Sequence, residues 1–274
     1  MMINLFIGFL LSAMIAFIAF KKHNLSVSGM LGAILCGTLV YGLGHWVFYV
    51  FMMFFFMSSL IIRKIVTALS PSAHQILMRQ KHKHEARTII QVGANAGILV
   101  LISILYAFQP SDLLVFLAAV SMAAATSDTW ASEIGVLSHH KPHSLIKRQV
   151  METGLSGGVT TMGLWASLAG SALIAMVYGL FTGIVNGFSP VLLGLVLVCT
   201  LGGFFGSLVD SILGELFQAK YKTKNADIVE VATSKQDLLI QGFSWFDNNL
   251  VNFLSNVIVV GSFSLIAMIL GFTS

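Results

Sequence analysis

Residues 126–160 read TSDTWASEIGVLSHHKPHSLIKRQVMETGLSGGVT. The stretch is polar, yet one apolar run ends at its start (111–127) and another begins at its close (157–181). Each run comes close to the roughly 20 apolar residues that cross a bilayer. A polar segment held between two such runs is a loop of a polytopic membrane protein. It collects Asp128, Glu133, Lys141, Lys147, Arg148 and the turn Gly154-Leu155-Ser156-Gly157-Gly158. Carboxylates suited to a metal thus stand a short loop away from backbone suited to a phosphate.

The whole chain follows this pattern. It is 57% hydrophobic and 9% charged, against about a quarter charged in soluble proteins, and its mean hydropathy is +0.89. Spans are expected at 3–20, 26–44, 46–62, 88–107, 111–127, 157–181, 191–217 and 248–270. The first lacks a basic leader and a small-x-small cleavage site, so it reads as a retained helix rather than a signal peptide. The expected fold is all-α: a polytopic transmembrane helix bundle of about eight spans, one integral membrane domain over 1–274. Its hydrophilic loops are 63–87, 128–156 and 218–247. The phenylalanine-rich segment 48–56 reads as lipid-facing surface. Cys36 and Cys199 lie in apolar runs and read as small buried hydrophobes.

Charge placement supports the span count. All fifteen lysines and arginines fall in the four loops that eight spans put on one side. The positive-inside rule assigns that side to the cytoplasm and both termini to the outside. The basic excess is therefore topological, with some attraction for anionic membrane lipids. No nucleic-acid partner is expected, and the expected location is a prokaryotic plasma membrane.

Ionisable residues inside spans cost several kcal/mol unless paired or wet, and so mark sites. Asp128 ends the fifth span, Asp210 and Glu215 lie late in the seventh, and Asp247 opens the eighth, before Asn248, Asn249 and Asn252. Arg87, Gln91 and Asn95 repeat every four residues, forming a stripe on one face of the fourth. Such polar side chains can equally serve helix–helix hydrogen bonding. A short parallel repeat, Asp-[Ser/Thr]-x-x-[Ser/Gly]-Glu, matches 128–133 to 210–215. It brings Ser127, Thr129 and Ser211 beside the carboxylates. Asp128, Glu133, Asp210 and Glu215 are hard oxygen donors of the kind Mg²⁺ takes. Residues five apart on a helix are about 140° apart around it, so shared ligation requires the helix to end or unwind near Gly135 and Gly214. The glycine turn opens the sixth span, where backbone N–H groups and a helix N-terminus favour an anion. A tight turn with close helix packing is the alternative. His82, His84, His139, His140 and His143 lack the spacing of a zinc site.

Several runs resemble one family. They are Ser-Asp-Thr-Trp-Ala-Ser-Glu (127–133), Ser-Gly-Gly-Val-Thr (156–160), Asp-Ser-x-x-Gly-x-x-x-Gln (210–218) and Asp-Asn-Asn-x-Val-Asn (247–252). Ser26-x-Ser28-Gly29 and Arg87-x-x-x-Gln91-Val92-x-x-Asn95 belong with them. The chain resembles a widespread uncharacterised family of multi-spanning membrane proteins that includes the plant phytyl-phosphate kinase. That family is distantly similar to phytol and dolichol kinases and to phosphatidate cytidylyltransferases. Where it usually has Pro-Gly-Thr, this chain has Thr153-Gly154-Leu155, which leaves the turn's backbone as the expected contributor.

The resemblance implies a kinase that converts a phytyl or other prenyl monophosphate to its diphosphate at the cytoplasmic membrane face, with CTP favoured among nucleoside triphosphates. Asp128, Glu133, Asp210 and Glu215 would hold Mg²⁺. Gly154, Ser156, Gly157, Gly158 and Thr160 would cradle phosphates, and Lys141, Lys147 and Arg148 would screen charge. Asp247, Asn248, Asn249 and Asn252 would orient metal or acceptor, with Arg87, Gln91, Asn95, Ser127, Thr129 and Ser211 in support. Two alternatives stand beside it. A CDP-lipid-forming cytidylyltransferase would use the same groups, and a lipid-phosphate transporter or flippase would use embedded carboxylates and glycine-broken helices.

Overall fold

A computed structural model describes residues 1–70, 73, 86–225 and 227–269. The described residues form eight helices: α1 Met2–Lys21, α2 Val27–Leu43, α3 Trp46–Leu69, α4 Ile89–Phe108, α5 Asp112–Gly135, α6 Thr161–Asn186, α7 Pro190–Leu216 and α8 Asn248–Ile269. Seven are long and apolar enough to cross a membrane, while α2 is equally apolar but only 17 residues long. Side-chain hydroxyls start four of them: Ser26 accepts from Gly29 N, Ser111 from Leu114 N, Thr160 from Gly163 N and Ser189 from Leu192 N. Each satisfies a backbone donor that the first helical turn leaves unpaired. His82 and His84, with most of the 63–87 loop, lie outside the described residues.

Helix α5 is the axis of the bundle, packing on α3, α4, α6, α7 and α8. Its residues 115–127 are all buried, because Ala118, Ala119, Ser121, Ala123, Ala124 and Ala125 let neighbours approach from every side. Large apolar side chains point outward instead: Phe6, Leu10, Leu35, Leu101, Leu193 and Leu197 are each about half exposed or more. An apolar belt on this scale faces lipid. The phenylalanine segment departs from that expectation. Phe48, Phe51 and Phe55 are buried, since they recur along one face of α3 that packs toward α5, and Phe48 meets the Tyr106 ring edge-on at 5.2 Å.

At the far end of the bundle α6 runs on to Asn186 rather than 181, and three boundaries differ at the polar end. Helix α3 runs on to Leu69 rather than 62, and α5 to Gly135 rather than 127. The turn through 157–160 stays outside α6. Helix α5 continues because its last turn packs on the start of α6. A Cβ at Gly135 would lie 3.4 Å from Thr160 Oγ1 and 3.6 Å from the Gly163 Cα, ordinary contact distances that place the end of α5 directly on the start of α6. The polar segments hold small sheets that hydropathy did not show. Strands β1 (His143–Ser144) and β2 (Gly158–Val159) pair antiparallel. Strand β3 (Lys220–Lys222) lies between β4 (Ile228–Val229) and β5 (Leu238–Gln241), antiparallel to both.

Candidate functional site

Helices α3, α5 and α7 end, and α4, α6 and α8 begin, around one cavity of about 360 Å³. That is within the range of small-molecule sites. The register of α5 against α7 sets its floor. A Cβ on Gly206 would come within 2.6 Å of the Ala124 Cβ, and one on Gly203 within 2.7 Å of the Ala123 Cβ, so the two backbones touch there. Four residues further along each helix stand Asp128 and Asp210, whose carboxyl groups lie within hydrogen-bonding reach of each other. Ser255 Oγ donates to Asp210 Oδ2 at 3.1 Å. With its amide in the orientation that its neighbours favour, Asn252 Nδ2 donates to the same oxygen at 3.0 Å and to Asn248 O at 3.1 Å. Two carboxylates about 4 Å apart repel by roughly 4 kcal/mol at an effective dielectric near 20. A shared proton or a bound cation relieves that repulsion.

The four carboxylates of the repeat do not converge. Both helices stay regular across the repeat, α5 ending only at Gly135 and α7 at Leu216, so the five-residue spacing sends each glutamate to a different side from its aspartate. Glu133 lines the cavity beside Arg87 and interacts with it electrostatically. Glu215 is buried, accepting from Ser144 Oγ at 2.5 Å and Ile146 N at 3.4 Å. Glu215 therefore tethers the 143–147 loop rather than facing the cavity. Among the described residues, no three His, Cys, Asp or Glu side chains are grouped so as to hold a metal ion. The short sequence repeat thus lacks equivalent surroundings beyond its aspartates.

Arg87 is fixed by its backbone. Its N–H donates to Asn24 O at 3.0 Å, and its carbonyl accepts from Ser26 N at 3.1 Å and Ser26 Oγ at 3.2 Å. A Cβ on Gly29 would fall 1.8 Å from that carbonyl, which explains why Ser26-x-Ser28-Gly29 and Arg87 act as one unit. The guanidinium donates to Ser59 Oγ at 3.1 Å and lies 5.9 Å from the centres of the Phe55 and Phe56 rings, a cation–π arrangement. Gln91 Oε1 accepts from Thr88 N at 3.0 Å, and Asn95 Nδ2 donates to Gln91 O at 2.9 Å. Both side chains reach the cavity, as does Arg63.

The glycine turn forms the facing wall. Gly154 and Gly157 have φ of 89° and 91°, a region that side chains rarely adopt, and a Cβ on Gly157 would lie 2.5 Å from the Glu215 Cβ. Ser156 N donates to Glu230 Oε1 at 2.5 Å, Gln218 Nε2 to Glu230 Oε2 at 2.8 Å, and Lys220 Nζ to Ser156 O at 3.0 Å. The β3–β4 hairpin is thereby latched to the turn. Burial pulls the Lys220 ammonium below its usual range, against the opposing pull of Glu230 and Glu215. Thr160 lines the cavity while its hydroxyl caps α6.

The remaining expected residues divide. Thr129, Ser211, Asn248, Asn249 and Asp247 line the cavity, and Asp247 also caps α8 by accepting from Leu250 N at 2.9 Å. Lys141, Lys147 and Arg148 are exposed and outside the lining. Ser127 is buried between α5 and α6, 2.6 Å from Ser167 Oγ. The sequence reading missed Arg63, Gln218 and Glu230. Gln218 closes a quoted motif and so carried a signal, whereas Glu230 sits 74 residues from Ser156 in an aperiodic polar loop.

These features define an integral membrane protein with a polar cavity at one end of its helix bundle. The chain belongs to the integral membrane protein DUF92 family, which it matches over residues 10–260. It is 28% identical over 232 residues to an uncharacterized membrane protein of Methanocaldococcus jannaschii, covering 85% of this chain and 91% of that one. It is also 28% identical over 272 residues to Protein PGR of Arabidopsis thaliana, covering 92% of each chain. No solved structure matches it.

Proposed function

We propose that this protein is a phosphotransferase that moves the terminal phosphoryl group of a nucleoside triphosphate, CTP favoured, onto a prenyl monophosphate such as phytyl phosphate. The observation that carries the reading is the pairing of Asp128 with Asp210 across one cavity from the glycine turn, with Arg63 and Arg87 at its side. Mg²⁺ usually takes one or two carboxylates and completes its shell with water and substrate phosphates. Two facing aspartates, with Asn252 beside them, fit that ion. The proposed metal set is thus narrower than the sequence suggested: Asp128 and Asp210 hold the ion, Glu133 positions Arg87, and Glu215 holds the loop. When bound, the ion would neutralise charge across the donor phosphates.

The chain's own groups do the rest. Ser156 N already points at a carboxylate oxygen of Glu230, which stands in for a phosphate oxygen at that subsite. Arg63 and Arg87 take the charge-screening role first expected of Lys141, Lys147 and Arg148. Arg87 suits an anionic acceptor, because guanidinium pairs with phosphate through two parallel bonds. An oxygen of the acceptor monophosphate attacks the terminal phosphorus, the bond to the bridging oxygen breaks, and a nucleoside diphosphate leaves with the electron pair. An acceptor that is already ionised needs no general base, in keeping with a cavity lined by no histidine among the described residues.

We assign the cavity to the cytoplasmic side of a prokaryotic plasma membrane, with both termini outside, because every lysine and arginine falls in the sequence segments 21–22, 63–87, 141–148 and 220–235, which eight spans put on one side. The described lining comes from that end alone, which favours an enzyme over a carrier. Transfer of label from γ-³²P nucleotide to a prenyl phosphate tests the assignment; label recovered in pyrophosphate would point to a cytidylyltransferase.

A further inference from the structure

A second, apolar crevice of about 70 Å³ lies between α1, α2, α3 and α4. Its walls include Ala16, Ala33, Cys36, Met52, Met53 and Ala96. It shares Phe55, Arg87, Gln91 and Asn95 with the polar cavity, so the two compartments meet at one partition. We propose that this crevice seats the hydrocarbon tail of the phosphorylated lipid while Arg87 holds its phosphate at the partition. The proposal rests on the reading that the acceptor is a lipid monophosphate, and it identifies where that acceptor lies.

Three features single out this occupant. The partition carries a cation against two aromatic rings, which matches an anion attached to an apolar chain and not a neutral lipid. The crevice is narrow but adaptable: alanines on three helices leave space, and the Met52 and Met53 thioethers repack around irregular shapes. It is also deep, running about 10 Å along α3 from Phe56 to Tyr49 at 1.5 Å per residue. Its far end is closed by Ser12 Oγ donating to Tyr49 OH at 3.3 Å. A tail of several isoprene carbons is bounded there by side chains rather than by bulk lipid.

Cys36 reports occupancy without any substitution, because it lines the crevice while Cys199 is fully buried. The native protein in lipid nanodiscs would be treated with N-ethylmaleimide, and alkylation of the Cys36 peptide followed by mass spectrometry. Farnesyl phosphate at about ten times its dissociation constant should slow alkylation about tenfold. Dimethylallyl phosphate, which lacks the length, and farnesol, which lacks the charge, should leave the rate nearly unchanged. Equal protection by farnesol would overturn the proposal, because the crevice would then accept any membrane chain. Phosphoryl transfer to farnesyl phosphate with Cys36 unprotected would also overturn it while leaving the kinase reading intact. Protection without transfer would support the crevice and count against the kinase.

Discussion

Asp128 and Asp210 meet because Ala124 and Gly206, one helical turn earlier, are the point at which α5 and α7 touch. Two parallel-running helices packed at small residues keep their register over the next turn, so the packing contact sets the carboxylate contact. Gly206→Val should separate the helices and cost about 1–3 kcal/mol, the range for overpacking a tight contact. Gly194→Ala, which meets open space, should be neutral. Thermal unfolding in detergent checks both.

Neutralising either aspartate should divide activity from stability. Asp128→Asn and Asp210→Asn each remove a like charge, so without Mg²⁺ the folded protein should be at least as stable as the wild type. Turnover should fall about 100-fold or more, because several kcal/mol of charge stabilisation depends on the ion. The rise in Tm on adding Mg²⁺ with nucleotide should vanish. Paired Tm and turnover measurements read out both effects.

Glu215 should behave in the opposite way. Its carboxylate accepts from Ser144 Oγ and Ile146 N, so Glu215→Ala leaves the buried Ser144 hydroxyl unpaired at a cost of about 1–3 kcal/mol. Its Mg²⁺ requirement should match the wild type. A lowered Tm with an unchanged metal titration would bear this out; a weakened metal titration would return Glu215 to the ion.

Most of the helix order was legible because apolar runs of bilayer length leave few alternatives. The polar extension of α5 was not. Asp128, Thr129, Ser132 and Glu133 read as loop by hydropathy, yet they remain helical because the cavity, not lipid, receives their side chains. Nothing in the sequence sets Gly203 and Gly206 apart from other span glycines, and their role emerges only when Ala123 and Ala124 are set against them. The latch of Glu230 on Ser156 depends on tertiary contact alone. The aspartate pair was visible as a repeat, whereas the divergence of Glu133 and Glu215 follows from the helices' failure to unwind.

The latch has a pH signature. Burial lowers the Lys220 pKa below its usual value of 10.5, so between the folded and unfolded values the unfolded chain binds more protons. Stability then rises with pH across that window and levels off near 10.5. Glu230, Glu215 and Lys147 are the charges that face this group. Tm measured from pH 8 upward should climb in the wild type, and the climb should be smaller in Lys220→Met.

Orientation can be read in intact cells. Lys224 and Asn186 are both exposed, at opposite ends of the bundle. Asn186→Cys should react with an impermeant maleimide from outside, and Lys224→Cys only after permeabilisation. The reverse pattern would invert the membrane assignment.

The most direct test of the account is a single-turnover reaction of purified protein in nanodiscs with γ-³²P CTP, Mg²⁺ and phytyl phosphate. The expected result is label in phytyl diphosphate, one CDP per labelled lipid, and no transfer in Asp210→Asn. Label that stays in CTP, or appears only in pyrophosphate, would contradict it.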